Sequence, residues 1–347
     1  MKKLILLALV ALVAGAAFAS TDPAFSGSFE YSSQFDFENK EYAQDDGGGE
    51  AVVNLNGVVD EWSTVNVEMQ ADSAGPLSLN QFTLTTDVTG ALGASGPVAF
   101  SLTWGAITHE AAIYQSKAGY GDNEPQIETD SYLGAKLVFT IVEKVVLIAS
   151  VMPGTYLDDA TWVDGTGGTG TLYAEAVFGI EAQFNGLVEG LDANIWYISD
   201  ENAGGPVMSQ LGVSAGYGSD MIDAGFVFIG NLTGTAVYGA GASVKYKMDV
   251  FDVGAAIKLG DFSNLDLAGN FGVSVNATWK AVADTLDVFV AASFDFNDFG
   301  GSGYEGGVKF YLGATTYTLG YDYQNAGYEG PKNTTAGGAY LKVSADY

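Results

Sequence analysis

The residues that carry most enzyme chemistry are nearly absent. With no cysteine and a single histidine, thiolate chemistry, a disulfide framework and any site needing two imidazoles are excluded. His109 is the one imidazole available as a base, and it lies in Gly105-Ala106-Ile107-Thr108-His109-Glu110 with no serine or aspartate signature around it. The sequence therefore nominates no catalytic residue. Carboxylate is abundant instead: 42 acidic residues stand against 13 basic ones, all Lys, for a formal net charge of -29. That balance argues against nucleic acid as a partner. Asp45-Asp46, Asp158-Asp159-Asp164 and Asp200-Glu201 could bind Ca²⁺ or Mg²⁺ loosely, since hard cations take carboxylate oxygens, but none has EF-hand spacing and no cofactor or structural metal is called for. Gly165 to Gly170 and Gly300-Gly301-Ser302-Gly303 read as loops, because a phosphate-binding loop needs a helix to follow it.

What remains is the chemistry of charges arranged along a surface, and their spacing shows which surface. Phe271, Val273, Val275, Ala277 and Trp279 alternate with Gly272, Ser274, Asn276, Thr278 and Lys280, the period of a half-buried strand. Similar uncharged faces recur along the chain, among them Leu133/Ala135/Leu137/Phe139/Ile141, Phe251/Val253/Ala255/Ile257/Leu259 and Leu341/Val343/Ala345/Tyr347. In the segment from Leu286 to Phe296 one aromatic, Phe289, breaks the pattern. The opposite faces carry Lys136, Glu175, Glu181, Lys245, Lys247, Lys258, Lys280, Asp287, Lys309 and Lys342. A lysine on a lipid-facing strand costs about 2 to 4 kcal/mol at mid-bilayer, so a membrane barrel must segregate charge by parity. A soluble sandwich must do so too, because its inner face is equally intolerant of unpaired charge.

Length separates the two. The apolar segments run about 9 to 13 residues, the reach of a tilted membrane strand, whereas soluble strands peak near 5 to 6. No stretch of 18 consecutive apolar residues follows the first twenty, so spanning helices are not expected. Lys2-Lys3, the apolar run from Leu4 to Phe18 and Ala17-Phe18-Ala19 have the layout of a cleaved secretory signal over residues 1–19, with the mature chain, 20–347, beginning at Ser20. Loss of Lys2 and Lys3 takes the formal charge from -29 to -31.

The alternation predicts eighteen strands, over 25–37, 50–59, 64–71, 79–88, 98–115, 131–142, 145–152, 171–184, 191–199, 207–217, 222–229, 235–248, 251–259, 265–279, 286–296, 304–312, 315–323 and 337–347. Tight connections at 60–63, 143–144, 185–190, 218–220, 249–250, 280–285 and 313–314 fall on one side. The long acidic or Gly-rich stretches, 38–49, 116–130, 153–170, 200–206, 297–303 and 324–336, fall on the other. Connection 89–97 is long for its side, and 98–115 changes parity near Gly105, as one bulged strand or as a hairpin. Sixteen strands is the alternative count. The fold class expected is all-β: a single transmembrane antiparallel up-and-down β-barrel.

An export signal, no cysteine, alternating strands of membrane length and the ending Gly338-Ala339-Tyr340-Leu341-Lys342-Val343-Ser344-Ala345-Asp346-Tyr347 together resemble bacterial outer-membrane β-barrels of the porin type. The resemblance covers the whole mature chain as pattern. It implies residence in the outer membrane in contact with its lipid, recognition of the last strand, ending at Tyr347, by the barrel-assembly machinery, a homotrimer, and passive diffusion of small hydrophilic solutes. It also implies a third long loop folded into the lumen, where Asp122, Glu124, Glu128 and Asp130 would face Lys245, Lys247, Lys258, Lys280 and Lys309 across the pore. That loop is short, Arg is missing from the wall, and most of those lysines lie near tight turns, so lysines that merely compensate carboxylates are the competing account. The acidity predicts a cation-preferring channel. A non-conducting surface or adhesion barrel is the alternative function, and a soluble secreted β-protein the third.

Overall fold

The computed structural model describes residues 24–36, 41–44, 50–72, 78–107, 109, 111, 132–153, 176–200, 208–232, 237–259, 271–295, 301–324 and 337–346. The leader 1–19, Tyr347 and most of the long connections, including Asp122, Glu124, Glu128, Asp130 and Glu175, lie outside these residues.

One antiparallel sheet contains every described strand. In chain order they are β1 (Ala24–Asp36), β2 (Glu41–Gln44), β3 (Glu50–Val58), β4 (Ser63–Asp72), β5 (Ser78–Asp87), β6 (Val98–Ile107), β7 (Tyr132–Ile141), β8 (Val145–Pro153), β9 (Ala176–Val188) and β10 (Leu191–Asp200). They continue as β11 (Met208–Gly218), β12 (Ile222–Asn231), β13 (Val237–Lys247), β14 (Phe251–Leu259), β15 (Phe271–Val282), β16 (Leu286–Asp295), β17 (Gly301–Leu312), β18 (Thr315–Gln324) and β19 (Gly338–Asp346). Strand β1 pairs with both β2 and β3, each strand from β3 onward pairs with the next, and β1 pairs with β19 from Ser28↔Asp346 to Asp36↔Gly338, which closes the ring.

The ring has eighteen strand positions. The nineteenth segment, β2, corrects the reading of 38–49 as loop throughout: Glu41–Gln44 pairs with Ser33–Asp36 of β1, while β3 pairs with Ala24–Glu30. Together β2 and β3 fill one position beside a long first strand. The second correction concerns 98–115. Among the described residues Val98–Ile107 is one strand that runs through Gly105, whose φ of 130° only glycine adopts readily and where a Cβ would sit 2.1 Å from the Phe82 carbonyl oxygen. The connection 88–97 is a single helical turn, α1 (Val88–Ala91), with Asp87 as its N-cap accepting from the Gly90 amide. Strand β9 runs on to Val188 and β15 to Val282, so their turns shrink to Glu189-Gly190 and Ala283 to Thr285.

The turn after β7 carries strain. Val142 and Glu143 have φ of 51° and 61°, a left-handed pair at the centre of the tight turn closed by Lys144 N–H donating to the Ile141 carbonyl but unfavourable for a β-branched side chain. Val142→Asn is expected to raise stability by about 1 kcal/mol, read as a higher denaturant midpoint for the refolded barrel; an unchanged midpoint would mean the turn is relaxed.

Large apolar side chains cover the outside. Ile180, Val275, Val290 and Leu319 are 58%, 44%, 56% and 56% exposed, and among the described residues no helix is long and apolar enough to cross a membrane. Aromatic pairs sit at both ends of the strands. Phe251 stacks on its cross-strand partner Trp279 at the turn end, and Tyr304 packs with Phe294 and Tyr323 at the loop end. From Phe271 to Trp279 is about 26 Å of strand at about 3.3 Å per residue, or about 20 Å along the axis at the usual tilt. That matches an apolar band between two aromatic girdles.

Candidate functional site: the barrel interior

Inward side chains alternate with the outer belt, and the register groups them into bands. One row, Gly225-Ser243-Ala256-Ser274-Ser293-Gly303, crosses six strands with nothing larger than serine. Side chains this small leave the middle of the barrel unfilled from that wall. Toward the turn end the inward residues are longer and charged. Lys245 and Lys280 meet Asp252 at 3.5 and 3.0 Å, and Lys247 meets Asp223 at 2.8 Å. Asp287 is the cross-strand partner of both Lys280 and Lys309 and accepts from the Tyr311 hydroxyl at 2.9 Å. Lys309 also lies 5.0 Å from the ring of Phe289, so the aromatic that broke the alternation faces inward, carrying a cation on its face.

Lys258 sits on the loop side of the small row, one inward position beyond Ala256, opposite Gly241 and Gly272. Lys342, on β19, lies beside Thr318. Lys136, on β7, is opposite Ser150 of β8, far round the ring from the other lysines. The candidate lysines thus form an arc on β13 to β19, interleaved with aspartates, with Lys136 separate. The loop end of the same arc is acidic. Glu305 and Asp322 are direct partners on β17 and β18, Asp322 is buried, and the Tyr340 hydroxyl donates to Glu305.

Glu181 stands elsewhere, on β9 beneath a feature that the alternation did not reveal. Beyond Ile107, the last residue of β6 paired with β7, His109 and Ala111 lie off the wall, and Ile107, His109 and Ala111 are all buried. The His109 Nδ1 lies 2.6 Å from Ser150 Oγ, its Nε2 lies 3.5 Å from Glu181 Oε2, and Gln183 donates to Glu181 Oε1 at 2.8 Å. The ring rests on Gly179, where a Cβ would come within 2.4 Å of it. Ala111 then packs with Trp196, Ile198, Val227 and Ile229 of β10 and β12. A signal for this contact existed in the sequence. Ile195-Trp196-Tyr197-Ile198 and Phe226-Val227-Phe228-Ile229 are apolar on both faces, which a strand between lipid and water has no reason to be.

Ser150, His109 and Glu181 stand in the order of a serine-hydrolase relay, but the geometry opposes that use. Ser150 is 1% exposed and Glu181 1% exposed, so no substrate carbonyl reaches the hydroxyl, and a nucleophile must be approached within van der Waals contact.

No protein-family model and no curated protein sequence matches the chain. Solved structures do. Two triple mutants of the porin of Rhodopseudomonas blastica superpose with TM-scores of 0.55 and 0.56, at 14% identity, over 94% of this chain and 100% of theirs. A mutant of the same porin with five substitutions gives 0.55 at 12% identity over the same shares. With eighteen antiparallel positions closed by β1 and β19, an apolar belt outside, small and charged side chains inside and a segment turned into the interior, this chain has the fold of the bacterial porins.

Proposed function

We propose that the protein is an outer-membrane porin, a water-filled channel through which small hydrophilic solutes diffuse. The observation that carries this reading is the closed ring of eighteen strand positions whose inward residues are small or charged while its outer face is apolar. A cylinder of that circumference encloses more volume than its side chains fill. An exposed apolar belt of this extent has no place in water. Export by the segment 1–19, assembly through the strand ending at Tyr347 and a homotrimer belong to the same proposal.

The channel prefers cations. The formal charge is -29, Glu305 and Asp322 stand side by side near the loop mouth, and Lys245, Lys247 and Lys280 are held by aspartates rather than left to attract anions. Asp122, Glu124, Glu128, Asp130 and Glu175 would add to the same field from the loop side, while Lys136, Lys258, Lys309 and Lys342 line the wall and moderate it. Carboxylates lining a low-dielectric throat concentrate counter-ions, and salt weakens the effect. In a planar bilayer under a salt gradient, the reversal potential should carry the sign of a cation-selective pore and shrink as ionic strength rises. A potential of the opposite sign would refute the preference.

One observation favours a rival reading. The inward segment at His109 and Ala111 is what a plugged, non-conducting surface barrel would also need. Discrete conductance steps from purified protein support the porin; their absence, with the barrel folded, supports the surface role.

A further inference from the structure

We infer that His109 is a positioning residue that latches the inward segment to the inner wall, and so sets the width of the throat. The inference deepens the channel reading and rests on it. The segment follows the last β6 pair, Ile107↔Tyr132; His109 then touches β8 and β9, and Ala111 meets β10 and β12. Among the described residues of that stretch, His109 is the buried polar side chain that joins it to the wall, and the wall is built to receive it. Two neighbouring inward rows form the bed: Lys136-Ser150-Gly179-Ile198, and Ile148-Glu181-Trp196-Gly212. Ser150 supplies a hydroxyl to one ring nitrogen at 2.6 Å and Glu181 a carboxylate 3.5 Å from the other. Gly179 supplies the absence of a side chain beneath the ring. His109 and Glu181 are the largest polar groups among the fully buried side chains, and burial of such groups is stable only where polar partners replace water. Anchored this way, the chain is held against the inner wall at His109 and Ala111.

The chain has no cysteine, so one introduced thiol reports on the segment alone. Ala111→Cys, in full-length protein refolded into lipid vesicles, is expected to react slowly with a polar maleimide, since Ala111 is 3% exposed. Adding His109→Ala should speed labelling by at least about tenfold, the rise in open population that follows loss of one buried hydrogen bond and the packing of one ring. His109→Asn, which can still reach Ser150, should recover most of the protection. Gly179→Ala removes no polar group but places a methyl in the ring, and should speed labelling in the His109 background while changing nothing when His109 is already Ala. That non-additivity is the signature of direct contact, and a gel-shift assay for the folded barrel confirms that each variant is assembled. Rapid labelling of Ala111→Cys alone, equal rates with and without His109, or additive effects of the Gly179 and His109 changes would each overturn the latch. In planar bilayers the His109→Ala pore should show noisier and larger conductance than its parent. If the parent conducts and the variant matches it in both respects, the latch does not set the throat. If the parent does not conduct at all, the channel reading fails, while the thiol rates still judge the latch.

Discussion

Lysine at Val290 is expected to lower stability in a bilayer by about 2 to 4 kcal/mol, whereas lysine at the next residue, Ala291, should cost almost nothing. The two positions are neighbours in the chain and opposites in the fold. Val290 is 56% exposed on the outer belt of β16, at the middle of its strand, where a lysine cannot reach the headgroups without bending its stem along the wall. Ala291 points inward and pairs across strands with Glu305, so an ammonium there meets water and a carboxylate. Urea unfolding from lipid vesicles would separate the two variants by a midpoint shift. Equal losses would mean that β16 has the same medium on both faces, and equal losses in detergent-free buffer would return the soluble secreted barrel to consideration. The pair tests the membrane assignment without reference to conduction.

The second large effect is expected at Trp196. This indole is 1% exposed on the inner face of β10, flat against Gly212, where a Cβ would stand 2.1 Å from it, and it shares a cluster with Ala111, Ile198, Val227 and Ile229. Trp196→Ala should destabilise by about 3 to 5 kcal/mol, the usual consequence of emptying a packed site of that size. The cluster lies inside the ring, so the loss should appear first as release of the inward segment and wider conductance steps, and only then as weaker barrel unfolding. A second-site change, Gly212→Val, clashes with the indole in the parent but occupies the vacated space in the variant, and should restore part of the stability there. An alanine variant with parental stability and parental conductance would show that the inner cluster supports nothing.

Both expectations draw on features that differ in how far the sequence exposed them. The alternation from Phe271 to Lys280 sets which side of β15 is greasy, because neighbouring residues on any strand point opposite ways and the two media tolerate different side chains. That logic is local, and by register the charged positions Lys136, Glu181, Lys245, Lys247, Lys258, Lys280, Asp287, Lys309 and Lys342 share the parity opposite the exposed apolar side chains. It failed at Glu41–Gln44, where a short run between acidic and glycine residues has no apolar face to announce it and gains its strand from the free half of β1. It failed again after Ile107, because a chain leaving the sheet keeps no period.

The barrel is legible residue by residue: strand length, parity of charge and the alternation of short with long connections follow from how each residue divides between lipid and water. What occupies the interior emerges only when distant strands are brought together. Ser150 and Glu181 became partners of His109, and Lys245 and Lys280 came to share Asp252, through the stagger of neighbouring strands around a closed ring. Stagger is a property of the whole circumference, since every pairing must agree with the last one between β19 and β1, and no single segment contains that information.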